Sequence, residues 1–192
     1  MSKTIVSTEL AELCIEKTGL FKFLSLYGNL LDLTKDKKNQ SIGISKIYTD
    51  AFKCVSGIDR IILPCELTVI QEFAFDNCND LRIIDYDSTN GAISSEENSI
   101  LSKTNLIIQS NGFSCCQNLE SIHIKCNKLS LEKDAFANCR NLKNIIIQCN
   151  ELDFRTGAFS NAKNLTIYGN KTCKSYLEKY CNSNNINFIE VN

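Results

Sequence analysis

The chain has one proline, one histidine, one methionine and no tryptophan in 192 residues. A single histidine, His123, leaves little material for an imidazole-based metal centre or for a Ser–His or Cys–His nucleophile. Gly-rich phosphate loops are missing, because Gly91 and Gly112 each stand alone. No apolar run reaches the roughly 20 residues that a membrane-crossing helix needs. An excess of charge is absent too. Lysine and arginine total 21 against 22 acidic residues, a formal net charge of −1, so nothing attracts nucleic acid or an anionic membrane in general. With so few prolines and glycines, and many asparagines and isoleucines, a disordered or linker-rich chain is excluded.

What is present is a repeat. AFANCRNLKNIIIQCN (135–150) returns as AFKCVSGIDRIILPCE (51–66), AFDNCNDLRIIDYDS (74–88) and GFSCCQNLESIHIKCN (112–127), and as a clipped copy, AFSNAKNLTIYGN (158–170). The anchoring residues Phe52, Phe75, Phe113, Phe136 and Phe159 are separated by 23, 38, 23 and 23 residues, so one copy carries 15 extra. A fixed period in the twenties signals a solenoid. Six residues after each Phe stands Ile58, Leu81, Leu119, Leu142 or Leu165. Nine and eleven residues after come Ile61 and Leu63, Ile84 and Tyr86, Ile122 and Ile124, and Ile145 and Ile147, the alternation of a half-buried strand. Five residues before each Phe stands Ile47, Ile70, Ile108, Leu131 or Phe154. One unit cannot bury that edge alone; stacked units can.

The pattern AFxxCxxLxxIxI, with an apolar residue five before the Phe, resembles the BspA-like leucine-rich repeat family from about Ile44 to the C-terminus. The resemblance implies an α/β solenoid, a right-handed superhelix of about five repeats with short strands, closed by a helix–strand C-terminal cap. With a helical N-terminal cap read from residues 1–40, which depart from the pattern, the chain divides into that cap, repeats over 41–170 and a closing module over 171–192. The resemblance also makes residues 88–108 a hairpin insertion that accounts for the 38-residue gap.

Eleven cysteines follow the repeat. Cys78, Cys116 and Cys139 share a slot three after the Phe, where other copies have Val55 and Ala162; Cys65, Cys126 and Cys149 share a slot thirteen after it. A position that accepts Cys, Val or Ala calls for a small apolar side chain, which a buried thiol resembles. The odd count and the lack of a secretory n-h-c pattern predict reduced thiols and a cytoplasmic location, with a cell-surface location as the alternative if a leader precedes Met1. Zinc held by Cys126, Cys149 and His123 is disfavoured, since there is no CxxC pair and ladder neighbours form a row rather than a tetrahedron. Neither a metal nor another cofactor is expected.

Residues 1–40 lie outside the repeat. Ser7 can cap a helix with Leu10, Leu13 and Cys14 on one face and Gly19 as its stop, followed by a second apolar segment from Leu20 to Leu33. The pair would serve as a lid on the open end of the stack. At the other end, Lys171 to Cys181 reads as a helix and Ile186, Phe188 and Val191 as an extended edge. The Asn-x-Ser/Thr triplets at Asn39, Asn164 and Asn170 are read as chance in so Asn-rich a chain.

With no catalytic constellation, the expected function is non-enzymatic protein binding. The outward strand rows differ from copy to copy, as positions free of packing constraints do: Arg60, Ile83, Ser121 and Asn144 in one row, Ile62, Asp85, His123 and Ile146 in the next. These eight are the candidate partner-binding residues, and exposed isoleucines among them point to a contact patch. The partner class is protein, not nucleic acid and not membrane. The resemblance also implies an alternative, an adhesin-type surface protein.

Overall fold

The computed structural model describes residues 4–7, 12–15, 21–23, 30–33, 44–87 and 104–191. Three short strands, β1 (Thr4–Ser7), β2 (Glu12–Ile15) and β3 (Phe21–Phe23), form an antiparallel sheet in which Thr4 pairs with Ile15 and Leu13 with Phe23. They correct the helical cap expected over these residues. Thr4, Ile5 and Val6 are a β-branched run that favours strand, and a lone helix of some ten residues is marginal in water.

The rest is a solenoid whose turns each contribute one strand to each of two sheets. The first-sheet strands are β4 (Leu30–Asp32), β6 (Arg60–Leu63), β8 (Ile83–Asp87), β10 (Ser121–Lys125), β12 (Asn144–Gln148) and β14 (Thr166–Gly169). The second-sheet strands are β5 (Lys46–Ile47), β7 (Val69–Ile70), β9 (Asn105–Ile108), β11 (Lys128–Leu131) and β13 (Glu151–Phe154). A 3-10 turn (Lys171–Cys173), helix α1 (Lys174–Asn184) and β15 (Asn187–Glu190) close the chain, and β15 completes a seven-stranded first sheet in the order β15-β14-β12-β10-β8-β6-β4. Pairing within both solenoid sheets is parallel.

The solenoid thus has about six turns rather than about five, and the described residues of its repeats form strands and turns, with the one described α-helix at the C-terminus. The additional turn begins at β4, which pairs with β6 but is preceded by no AF bend, so the Phe spacing could not reveal it. Leu30–Asp32 therefore belongs to the stack rather than to a cap ending at residue 40. Most of the expected hairpin insertion falls outside the described residues. Asn105–Ile108, its last part, is an ordinary second-sheet strand between β7 and β11.

The core follows from the repeat slots. Phe52, Phe75, Phe113, Phe136 and Phe159 are buried and stack face to face at 4.7, 4.7, 5.1 and 5.7 Å between ring centroids. The bends that carry them stack by backbone hydrogen bonds as well, from Phe75 N to Gly112 O (2.7 Å) and from Phe113 N to Ala135 O (2.8 Å). The residue before the Phe must be small. At Gly112 a Cβ would come within 2.8 Å of Ile108 Cγ2, and the other copies place a buried Ala there. Each bend also turns through the left-handed region twice, two residues before and two after the Phe: Asp50 and Cys54, Phe73 and Asn77, Asn111 and Cys115, Asp134 and Asn138, Gly157 and Asn161. Asn, Asp and Gly tolerate that conformation best, which explains the Asn content of the bends.

The cysteine slot does more than fill space. Cys78 donates its thiol to Phe52 O (3.0 Å), Cys116 to Phe75 O (3.1 Å) and Cys139 to Phe113 O (3.2 Å), each tying a turn to the one before. The ten cysteines from Cys54 to Cys181 are free, and Cys126 and Cys149 lie buried with their sulfurs 3.2 Å apart. Replacing Cys78 with Ala is expected to cost about 1 kcal/mol, because the Phe52 carbonyl loses the thiol as one of its donors while it keeps the Val55 N–H at 3.1 Å. Denaturant unfolding under reducing conditions measures this, and unchanged stability would reduce the thiol to a filler.

At the C-terminal end α1 buries Leu177 and Cys181 against the last turn. Tyr176 Oη accepts the Phe154 N–H (2.6 Å), so the free edge of β13 is capped by a side chain. Phe154 meets Phe159, Tyr176 and Tyr180 edge-on at 5.2–5.8 Å.

Candidate functional site: the outer strand face

The side chains of β6, β8, β10 and β12 alternate between core and outside. Ile61, Ile84, Ile122 and Ile145 point inward and are buried. The eight predicted site residues all lie on the outward side of the same strands. Strand register aligns Arg60, Ile83, Ser121 and Asn144 across the sheet, and beside them Ile62, Asp85, His123 and Ile146. Parallel neighbours repeat about every 4.8 Å, so the two rows form a regular lattice of side chains.

Exposure is uneven within that lattice. Arg60 and Asn144 are exposed, Ile62, Ile83, Asp85, Ser121 and His123 are half-buried, and Ile146 is 39% exposed. Ile146 is therefore the strongest apolar feature of the eight, whereas Ile62 and Ile83 are partly covered by their neighbours. Arg60 and Asp85 also do not act separately. The guanidinium meets the Asp85 carboxylate through both Nε and Nη2 at 2.8 Å, across the diagonal between adjacent strands. Arg82 and Glu120 make a second cross-strand pair at 2.9 Å beside it.

Two members of the face escaped the sequence reading. Ile146 pairs in register with Tyr168, and Tyr168 with Ile189, so the row runs on as Ile62–Asp85–His123–Ile146–Tyr168–Ile189. Ile189 is 41% exposed. The last copy is one residue shorter between its Phe and its strand, and this hid the continuation: the core residue Ile167 stands eight after Phe159 rather than nine.

Among the described residues, two shallow cavities of about 370 and 360 Å³ open away from this face, one beside Arg140, Asn161 and Lys163 and the other between the last bend and Tyr180. Among the described residues no group of three or more His, Cys, Asp or Glu is placed to hold a metal ion. His123 sits on the outer face whereas Cys126 and Cys149 are buried in the interior, so the three residues of the zinc alternative do not converge. Several interior thiols are also held protonated. The neighbouring Cys126 thiol and then burial push Cys149 far up, the Cys116 thiol and burial do the same for Cys78, and burial raises Cys173 to about 12.

The two-sheet stack, the Phe column and the 23-residue register now stand together with a match of residues 33–104 and 94–192 to the BspA type leucine-rich repeat region, in six copies. The chain belongs to the BspA-type leucine-rich repeat family. Neither a curated protein nor a solved structure matches it. The six BspA-type copies agree with the six strands from β4 to β14, and the family match starts at Leu33, directly after the strand that the Phe spacing missed. Membership points to a protein-interaction module in a generally non-enzymatic family. Among the described residues no helix of this BspA-type chain is long and apolar enough to cross a membrane.

Proposed function

We propose that this protein is a non-enzymatic binding module that presents the outer face of its seven-stranded sheet to a protein partner. The carrying observation is the in-register row Ile62–Asp85–His123–Ile146, a rigid strip that mixes a neutralised ion pair, an imidazole and an exposed isoleucine. A flat lattice of that kind fits a protein surface better than it fits a small molecule. Hot spots gather where water is excluded at the centre of such a contact, which here falls at His123 and Ile146. The free thiols, buried for the most part, favour a reducing compartment as the place where it works.

The test begins with capture of the partner from native lysate and a measured affinity. His123→Arg combined with Ile146→Arg adds bulk and like charge to the centre while leaving the buried rows and the Arg60–Asp85 pair intact. Affinity should fall more than tenfold, a loss of about 1.4 kcal/mol or more. Charge reversal at Lys128, on the second sheet, should leave binding unchanged. Loss with the Lys128 variant and none with the double variant would move the working surface off this face.

A further inference from the structure

The two strand edges at the C-terminal end of the solenoid are finished differently. The edge of β13 is closed by Tyr176, whose hydroxyl takes the Phe154 N–H. The edge of β15 has no such cover among the described residues. The backbones of Asn187 and Val191 bond back to Leu165 O and Gly169 O in and beside β14. By strand alternation the N–H and C=O groups of the even-numbered residues, Phe188 and Glu190, then point away from the sheet. An uncovered edge is a template for another strand.

We propose that this edge pairs with the same edge of a second copy of the chain, antiparallel about a two-fold axis through Ile189. The register makes the edge complementary to itself. With Ile189 opposite Ile189 of the second copy, Phe188 faces Glu190 and Glu190 faces Phe188. The outward-pointing backbone groups of both copies then meet in about four hydrogen bonds. Ile189 falls in a non-hydrogen-bonded pair, the arrangement that brings side chains closest. Its side chain is 41% exposed and ends the row Ile146–Tyr168–Ile189 on the outer face. Across the axis the row continues as Ile189–Tyr168–Ile146, one apolar ribbon spanning both copies. Charge does not oppose the approach, because Glu190 is already neutralised by Lys174 at 2.7 Å. An isologous contact of this type closes on itself and does not propagate into a fibre. The two sheets become one, with the outer faces carrying His123 side by side.

The pairing rests on the strand edge and does not require the proposed partner of the strand face. The test is sedimentation of the full chain, under reductant, over roughly 1 μM to 1 mM, a range suited to a small interface. The parent should pass from monomer to dimer and no further. Ile189→Lys places like charges directly opposite and should weaken association at least tenfold, as should Ile189→Glu for the same reason. Mixing the two variants in equal amounts should restore the dimer, since Lys then faces Glu across the axis. Glu190→Pro, which removes one outward N–H on an edge strand that tolerates proline, should also abolish it while circular dichroism stays unchanged. A parent that remains monomeric throughout, a dimer indifferent to these changes, or Lys and Glu variants that fail to associate when mixed would each overturn the proposal. Dimerisation as described, combined with partner binding that survives the His123→Arg and Ile146→Arg changes, would instead point to failure of the strand-face reading alone.

Discussion

Phe113→Ala is expected to remove about 3–5 kcal/mol of stability, the range for truncating a fully buried phenylalanine. Phe113 is the middle ring of the column, with Phe75 at 4.7 Å on one side and Phe136 at 5.1 Å on the other, and it has no exposed surface. Truncation therefore loses the buried area, leaves a cavity between two rings that cannot collapse onto each other, and forfeits two stacking contacts of about 0.5–1.5 kcal/mol each. Its backbone is also anchored, giving N–H to Ala135 O, so the bend cannot move inward to fill the space. Phe113→Leu should cost less, because much of the volume is retained. Denaturant unfolding gives the comparison, with the midpoint falling at an unchanged slope. A loss below about 1 kcal/mol for the alanine variant would show that the column is not a continuous core.

The second large effect is loss of stability in mild alkali. The Cys78 and Cys149 thiols are raised far above their usual value by neighbouring thiols and burial, and Cys116 is raised likewise by Cys139 and burial. In the unfolded chain the same groups ionise near pH 8.5. A folded value above the unfolded one means the stabilisation is complete below about pH 8.5 and is lost as pH climbs from there. Each thiol that stays protonated while its unfolded counterpart ionises costs about 1.4 kcal/mol per pH unit, so three together cost about 4. Burial also holds Cys181 at about 11, Cys173 at about 12 and Tyr180 at about 12, which acts in the same direction. Unfolding free energy measured anaerobically with reductant should be level from pH 6 to 8 and fall steeply by about pH 10. A flat profile across that interval would mean the thiols are open to solvent. Cys78→Ala with Cys116→Ala should make the slope shallower.

How much of this was legible beforehand depends on which residues carry the period. The Phe column, the inward Ile rows and the outward rows were readable because packing demands the same residue type at the same offset in every turn. β4 was not readable, since Leu30–Asp32 has a strand's register but no bend of the AF kind to mark it. Glu12–Ile15 is a strand inside the stretch that reads as a helix from Ser7 to Gly19, because a four-residue element is too short for either period to declare itself. The left-handed positions were written in the sequence as Asp50, Asn77, Asn111, Asp134, Asn138, Gly157 and Asn161, and an inventory of Asn, Asp and Gly at fixed offsets would have found them. Phe73, Cys54 and Cys115 adopt the same conformation without that signature and show the bend being imposed by its neighbours. The Arg60–Asp85 pair was invisible for another reason. It is diagonal, between different rows, and depends on side-chain reach rather than on period. The thiol-to-carbonyl bonds were hidden because Val55 and Ala162 occupy the same slot and made it look purely apolar.

The 38-residue interval between Phe75 and Phe113 has a thermodynamic consequence for how the chain tolerates length. Every other step of the column closes a 23-residue loop. Closure entropy grows only with the logarithm of length, so the longer step costs about 0.4 kcal/mol more than its neighbours. Stacking of Phe75 on Phe113 at 4.7 Å, worth about 0.5–1.5 kcal/mol, offsets that difference by itself. The column crosses the interval at the same spacing as the step before it, 4.7 Å. New sequence can therefore be accommodated between two turns with little thermodynamic penalty, provided the residues on either side keep their offsets from the rings.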